Sequence, residues 1–160
     1  MKKILVISDS HGNWENAVEA VRKEEPDMLI HLGDGWSDMA HIRELFPNLP
    51  VEQVPGNCDY AQEPPVRVLI IEGRRIMICH GHTYGVKMSL LSLQLAAREK
   101  EAELVMFGHT HRVFYDWHNG VRMFNPGSIG APGYGIAPSY GILTVGAASG
   151  LLGTEAFYLE

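Results

Sequence analysis

Lys3-Ile4-Leu5-Val6-Ile7-Ser8-Asp9-Ser10-His11 opens the chain with a compact β-branched and aliphatic run that ends at polar residues and an Asp-x-His pair. A run of that length and composition predicts a strand. Asn13 is a good helix N-cap for the segment 14–24, and Pro26-Asp27 closes that helix. Residues 28–32 supply a second strand, 38–46 a second helix and 51–54 a third strand. This alternation predicts parallel strands with right-handed crossovers. Open α/β sheets bind ligands at the carboxyl ends of their strands, which is where Asp9 and His11 stand.

Further along, 66–72 and 75–79 read as strands joined by a hairpin turn at Glu72-Gly73-Arg74. Residues 86–100 have helical composition, and 104–107 is another strand. The runs 113–117, 121–124, 141–145 and 154–158 are strand-like, with turns between them and no convincing helix. These elements predict two facing sheets with helices packed outside, a layered α/β sandwich formed by residues 1–160 as one domain. The Gly- and Pro-rich stretch 125–141 is long for a connection. It reads either as a binding loop or as a wide turn.

Composition bounds the function. At 160 residues the chain can bury a large core without staples. It is 46% hydrophobic and 20% charged, ordinary for a globular protein. The apolar run after Met1-Lys2-Lys3 is far too short for a signal peptide or membrane span, so a cytoplasmic protein is expected. Two cysteines, Cys58 and Cys79, do not make a disulfide framework, and both are expected to be reduced. A net charge of −6 without a Lys/Arg run argues against broad nucleic-acid binding. Bound cations would still allow a phosphate substrate.

The chemistry lies in five motifs at strand ends. In extended backbone, positions i and i+2 share a side, so Asp9 and His11 are expected to converge on one cation. Alone, this pair is equally a cap or a surface group. Gly33-Asp34 follows the second strand and Gly56-Asn57-Cys58-Asp59 the third; each could be a capping or turn sequence. His80-Gly81-His82 and Gly108-His109-Thr110-His111 end two later strands. Paired imidazoles suit borderline divalent metals, although buried histidines bonded to carbonyls would read the same way. All five motifs are expected at one edge of the predicted sheet, which chance capping does not explain. His31 lies within a strand-like run, and His41 and His118 flank helix or turn segments, so these three read as structural or solvated.

In this order, the five motifs resemble the calcineurin-like metallophosphoesterase signature, and more closely its compact single-domain phosphodiesterase branch. The resemblance runs from Lys3 to about Ser128. It implies a four-layer α/β/β/α sandwich of two facing mixed sheets with outer helices, and a binuclear centre in which Asp34 bridges two divalent ions, with Asp9, His11 and His111 completing one site and Asn57, His80 and His109 the other. By the same likeness the metal is manganese, while Ni, Fe or Zn also suit a thiolate-free set of oxygen and imidazole ligands. Dimers or larger homo-oligomers are implied too. The wider family carries His before the Asp of the third motif as a candidate acid. Here that place holds Cys58, as in the compact branch, which leaves Cys58 and His82 as candidate proton donors. Asn57 and Ser128, the latter within Asn125-Pro126-Gly127-Ser128, are candidate substrate contacts.

The expected reaction is hydrolysis of a small phosphodiester or nucleotide by in-line attack of a metal-bridging hydroxide. Trp14, Trp36 and Tyr84 are candidates either for stacking on substrate or for core packing. Two alternatives compete with this reading. One is a non-catalytic protein-binding scaffold, like the retromer subunit of this fold. The other is a phosphomonoesterase or protein phosphatase, although 160 residues leave little room for a peptide groove.

Overall fold

The computed structural model describes residues 1–118, 120–146, 150 and 152–159. The side chain of His118 lies outside the described residues. The elements in order are β1 (Lys2–Ile7), α1 (Trp14–Glu24), β2 (Met28–His31), α2 (Met39–Leu45), β3 (Val51–Gln53), β4 (Val66–Ile71), β5 (Arg74–Cys79), α3 (Leu91–Glu99), β6 (Leu104–Met106), β7 (Val113–His118), β8 (Val121–Pro126), β9 (Ser139–Val145) and β10 (Leu152–Tyr158). Single 3-10 turns sit at Trp36–Asp38 and His82–Tyr84.

The strands form two five-stranded mixed sheets, β10-β9-β1-β2-β3 and β4-β5-β6-β8-β7. In the first, β1 pairs parallel with β2, and β2 with β3; in the second, β5 pairs parallel with β6, and β6 with β8. The period of two along β1 explains the layering. Ile4 and Val6 pack with Ile30, Ile76, Ile78 and Met106 between the sheets, whereas Leu5 and Ile7 pack with Ala17 and Val21 of α1 and Met39 of α2. A third cluster joins Met77, Cys79 and Val105 to Leu93 and Ala97 of α3. Three apolar interfaces separate four layers, α/β/β/α. A strand buried on both faces needs a continuous apolar run, as β1 has.

Two helices differ from the sequence reading. The segment 86–100 is helical only from Leu91, because Gly81 and Gly85 adopt left-handed angles (φ 108° and 62°) and residues 85–89 form turns closed onto the Gly85 carbonyl. The second differs less: the helix expected over 38–46 is α2 over Met39–Leu45, led into by a 3-10 turn at Trp36–Asp38, and the Asp38 carboxylate accepts from Ser10 instead of capping. The stretch 125–141 shrinks to a connection over 127–138, since Asn125 and Pro126 lie in β8 and residues 139–141 in β9.

The five motifs do not share one sheet edge. Those after β1, β2 and β3 belong to the first sheet, and those after β5 and β6 to the second. The antiparallel β4–β5 hairpin starts the second sheet, so the motif residues meet across the sandwich.

Candidate metal centre

The ligand motifs are tight turns, not continuations of their strands. Asp9, His11, Asp34, His109 and His111 all have left-handed backbone (φ 55°, 45°, 61°, 72° and 60°), which corrects the extended i, i+2 geometry expected for Asp9 and His11. Non-glycine residues seldom adopt these angles. Where they do, the surroundings must hold them. Here the Asp9 N–H donates to Gly33 O (2.9 Å), the His11 N–H to Asp34 O (3.0 Å) and the Gly108 N–H to His80 O (2.9 Å). Gly108 has to be glycine, because a Cβ there would overlap Ser8 Oγ and lie 2.7 Å from Asp9 Oδ2.

Two carboxylate oxygens occupy the middle. Asp9 Oδ1 lies 3.1 Å from His111 Nε2, 3.5 Å from His11 Nε2 and 3.6 Å from His80 Nε2. Asp34 Oδ2 lies 3.2 Å from His80 Nε2 and 3.6 Å from His11 Nε2. His109 adds its Nδ1, 3.2 Å from His80 Nε2. Potential ligand atoms of Asp9, His11 and His111 cluster together, as do those of Asp34, His80 and His109. Asp9, Asp34 and His80 are buried.

The donor set fits divalent cations. His80 Nδ1 meets Leu32 O at 2.8 Å and His111 Nδ1 meets Ala131 O at 2.6 Å. A carbonyl only accepts, so both Nδ1 atoms carry hydrogen, and in the neutral rings the Nε2 lone pairs point at carboxylate oxygens. Asp9 Oδ1 is buried without a hydrogen-bond partner. Facing lone pairs of this kind are relieved either by protons or by a cation.

Protonation acts unevenly across the cluster. Contact with Asp9 raises the pKa of His11 and His111, and Asp34 raises that of His80 against the effect of burial. Burial and the neighbouring His80 push His109 and His82 down. Burial works against ionised Asp9, but His11 and His111 outweigh it and hold the carboxyl well below the usual range. Asp34, opposed likewise by burial, is brought to about 2 by His80 and the Cys58 N–H. With rings as close as 5.0 Å (His80 and His109) and 5.3 Å (His11 and His111), charging every imidazole is unfavourable.

The remaining candidates have varied places. Asn57 and Cys58 are exposed on the third turn, joined by an Asn57 Nδ2 to Cys58 Sγ contact of 3.6 Å. The Cys58 thiol, its pKa raised by partial desolvation and by Asp34, lies close to His11 and Asp34. His82 is half-buried, its ring 5.5 Å from that of His80, and its buried Nδ1 has no partner. Ser128 is fully buried; its hydroxyl donates to Asp9 O and accepts from the Ala131 N–H, both at 2.8 Å, so it braces the Asp9 turn. Trp14 stacks on His41 at 4.1 Å and packs against the α1 core, and Tyr84 packs against the α3 core. Cys79 is buried, its thiol pushed up to about 12 by desolvation; both cysteines are free.

Three further groups hold the motif turns in position. The Asp59 carboxylate accepts the N–H groups of Asp34 (2.8 Å), Gly56 (2.8 Å), Gly35 (3.1 Å) and Trp36 (3.1 Å), fastening the second motif to the third. Buried Asn125 donates to Gly108 O and Thr110 Oγ1 (both 3.0 Å) and accepts from the Gly127 N–H (2.9 Å). His31 is structural, as expected: Nδ1 accepts from the Gly33 N–H, so Nε2–H donates to Ser10 Oγ (2.9 Å), which in turn donates to Asp38. Asp59 stands two places after Asn57 and so could have been suspected; Asn125 and His31 carry no local signal.

A cavity of about 630 Å³ beside Val21, Phe46 and Pro50 contains none of these candidate ligands. Chemistry, and not cavity size, therefore assigns the site.

The calcineurin-like phosphoesterase superfamily domain model matches residues 1–148. The chain belongs to that superfamily. It is 38% identical over 146 residues to the probable metallophosphoesterase YsnB of Bacillus subtilis, a match covering 89% of this chain and 83% of the relative. It is 27% identical over 169 residues to the phosphodiesterase YfcE of Escherichia coli, covering 89% and 88%. A solved single-mutant structure of Vps29 from Entamoeba histolytica shares the fold, with a TM-score of 0.74, 20% identity and 99% coverage of both chains. The two curated relatives are named as a probable metallophosphoesterase and a phosphodiesterase. No helix among the described residues is long and apolar enough to cross a membrane.

Proposed function

We propose that this chain is a single-domain phosphodiesterase that hydrolyses a small phosphodiester or nucleotide with two divalent cations. The observation that carries the reading is the pair Asp9 Oδ1 and Asp34 Oδ2, facing imidazole nitrogens whose hydrogens are committed elsewhere. Asp9, His11 and His111 would hold one cation, and Asn57, His80 and His109 the other, with Asp34 shared between them. Bound divalent cations supply positive charge that attracts the phosphoryl oxygens and acidifies water.

The chain's own groups provide alignment. The Leu32 and Ala131 carbonyls fix the tautomers of His80 and His111. The Cys58 N–H, 2.8 Å from Asp34 Oδ1, leaves Oδ2 facing the imidazoles. Ser8 Oγ and the His109 N–H, at 2.6 and 3.1 Å, take Asp9 Oδ2 and leave Oδ1 inward. Cys58 and His82 remain the candidates to protonate the leaving oxygen. A thiol is a weak donor, so esters that leave as nitrophenolate are expected to react faster than alkyl esters. Equal rates would point to an efficient acid. Manganese, a cytoplasmic setting and a dimer or larger assembly accord with the compact branch.

The Vps29 likeness raises the scaffold alternative, but all seven candidate ligands are present in this chain. Metal-stripped protein reconstituted with single divalent metals and assayed on bis-nitrophenyl and mono-nitrophenyl phosphate tests the proposal. Metal-dependent turnover favouring the diester is expected. Inactivity on both sinks the hydrolase reading, and preference for the monoester reverses the substrate class.

A further inference from the structure

We propose that the cavity beside His109 and His111 is a subsite for a second phosphoryl group of the substrate, one that is not cleaved, held by Lys87 and Arg112. The inference rests on the phosphoesterase reading of the neighbouring centre. The cavity is about 290 Å³ and is bounded by Lys87, Thr110, Arg112, Gly133 and Ile136 together with the two histidines. Neither Asp9, Asp34 nor His80 enters its wall, so it lies beside the metal centre and opens onto it only through His109 and His111. A volume at the lower end for small-molecule sites suits a fragment of a substrate more than a whole one.

Charge decides what that fragment is. The protein carries a net charge of −6, yet the wall holds two cations and no carboxylate. Among the described residues, neither Lys87 nor Arg112 has an ion-pair partner, although Lys3, Arg67 and Arg74 each have one. A cavity that concentrates unpaired positive charge on an acidic protein selects an anion. A guanidinium beside an ammonium suits phosphoryl oxygens, the first by its fork of donors and the second as a point charge.

The wall is also ordered on its ligand side. Thr110 Oγ1 takes the Arg112 N–H at 3.3 Å and an Asn125 amide hydrogen at 3.0 Å, fixing the turn from which Arg112 leaves. On the opposite side the Ile136 N–H bonds Gly133 O at 3.0 Å, closing a turn of the 127–138 connection. A phosphoester bearing one further phosphate would thus lie with its scissile group at the metals and its second group between these turns.

Equilibrium binding tests this without requiring turnover. Manganese-loaded protein is titrated calorimetrically with thymidine 3′,5′-bisphosphate and with thymidine 5′-monophosphate. The bisphosphate is expected to bind about tenfold tighter or better, the scale of two favourable charge contacts. That preference should shrink to about threefold or less in Lys87→Gln/Arg112→Gln and in high salt, where exposed charges are screened. Lys23→Gln, a charge removal on α1, should keep it. Equal affinities in the unaltered protein, no binding of either nucleotide, or a preference that survives the double substitution each overturn the subsite. Thermal melting of the double variant checks its fold, and Lys87→Glu alone should also weaken the preference. Turnover of bis-nitrophenyl phosphate without bisphosphate preference refutes the subsite and leaves the hydrolase reading standing. Preference without turnover does the reverse.

Discussion

The turns after β1, β2 and β3 bring candidate oxygen ligands to the rim, Asp9, Asp34 and Asn57, with His11 as their single candidate imidazole. The turns after β5 and β6 bring imidazoles alone, His80, His109 and His111. One half supplies the negative charge, and the other supplies imidazole nitrogen, with His80 and His111 oriented by backbone carbonyls. Among the described residues, two of the three clusters of potential ligand atoms draw on both sheets, His111 joining Asp9 and His11, and Asp34 joining His80 and His109, whereas the third, His11, Asp34 and Cys58, belongs to the first sheet's turns alone. Cation binding therefore depends on how the sheets pack through Ile4, Val6, Ile78 and Met106. Any cation that binds only the docked arrangement stabilises the fold in turn.

Breaking the oxygen half should have the largest effect. Asp34→Ala removes the carboxylate between His11 and His80 and is expected to lower turnover about a thousandfold, the upper end for losing one charge-stabilising group. Metal analysis of the purified variant should show less than the unaltered protein's content. Full metal content with near-normal turnover would show that the imidazole half suffices.

The next effect comes from beneath the oxygen half. Burial depresses His31 to about 4, so the unfolded chain, with His near 6.5, takes up the proton first. Stability held above pH 6.5 is lost as the pH falls toward 4, by about 3 kcal/mol if His31 acts alone. Chemical denaturation of metal-free protein should show less loss of stability between pH 6.5 and 4 in His31→Gln, which keeps a donor and an acceptor, than in the unaltered chain. There the raised pKa values of His11, His80 and His111 act in the opposite direction. An equal loss would mean that other groups govern acid stability.

Asp59 and Asn125 sharpen the comparison, because each pins the turns of one half. Asp59→Asn puts an amide among four N–H groups and should loosen Asp34; Asn125→Asp puts an oxygen against Gly108 O and should loosen His109 and His111. Each is expected to cost about 2 kcal/mol of stability and about 10- to 100-fold in metal affinity. Calorimetric metal titration should find both sites weakened in each variant, because Asp34 is shared between them and His109 and His111 belong to different ones. Unchanged metal affinity in either variant would show that its turn is held by other contacts.

Much of this was readable in advance. The α1 bounds and the Asn13 cap were local, since an Asx side chain before an amphipathic segment acts within one turn. The ligand motifs were visible because Gly beside Asp or His marks turns after strands. Three features were not local. The start of a second sheet depends on β5 choosing β6 as its partner, which no run of residues encodes. The late start of α3 depends on backbone angles at Gly81 and Gly85 that the helical composition of 86–90 hides. Asp59 acquires meaning only when four N–H groups from two loops point at it.

The smallest effect concerns the left-handed residues themselves. Glu101 (φ 56°) follows α3 as an exposed non-glycine cap, with the Ala102 N–H closing onto Ala97 O. Glycine adopts this conformation without a Cβ penalty. Glu101→Gly should therefore stabilise the protein by about 0.5–1 kcal/mol, after the entropy that glycine adds to the unfolded chain is set against the relief. Urea denaturation of the metal-free protein measures it, and a loss of stability would show that Glu101 is unstrained. The rim cannot accept the same remedy. At Asp9, His11, Asp34, His109 and His111 the strained backbone carries the ligand itself, so glycine would relieve the turn and remove the reason for it. On this view the sequence keeps at the edge that carries the candidate ligands a conformational cost that a single substitution could remove at the end of α3.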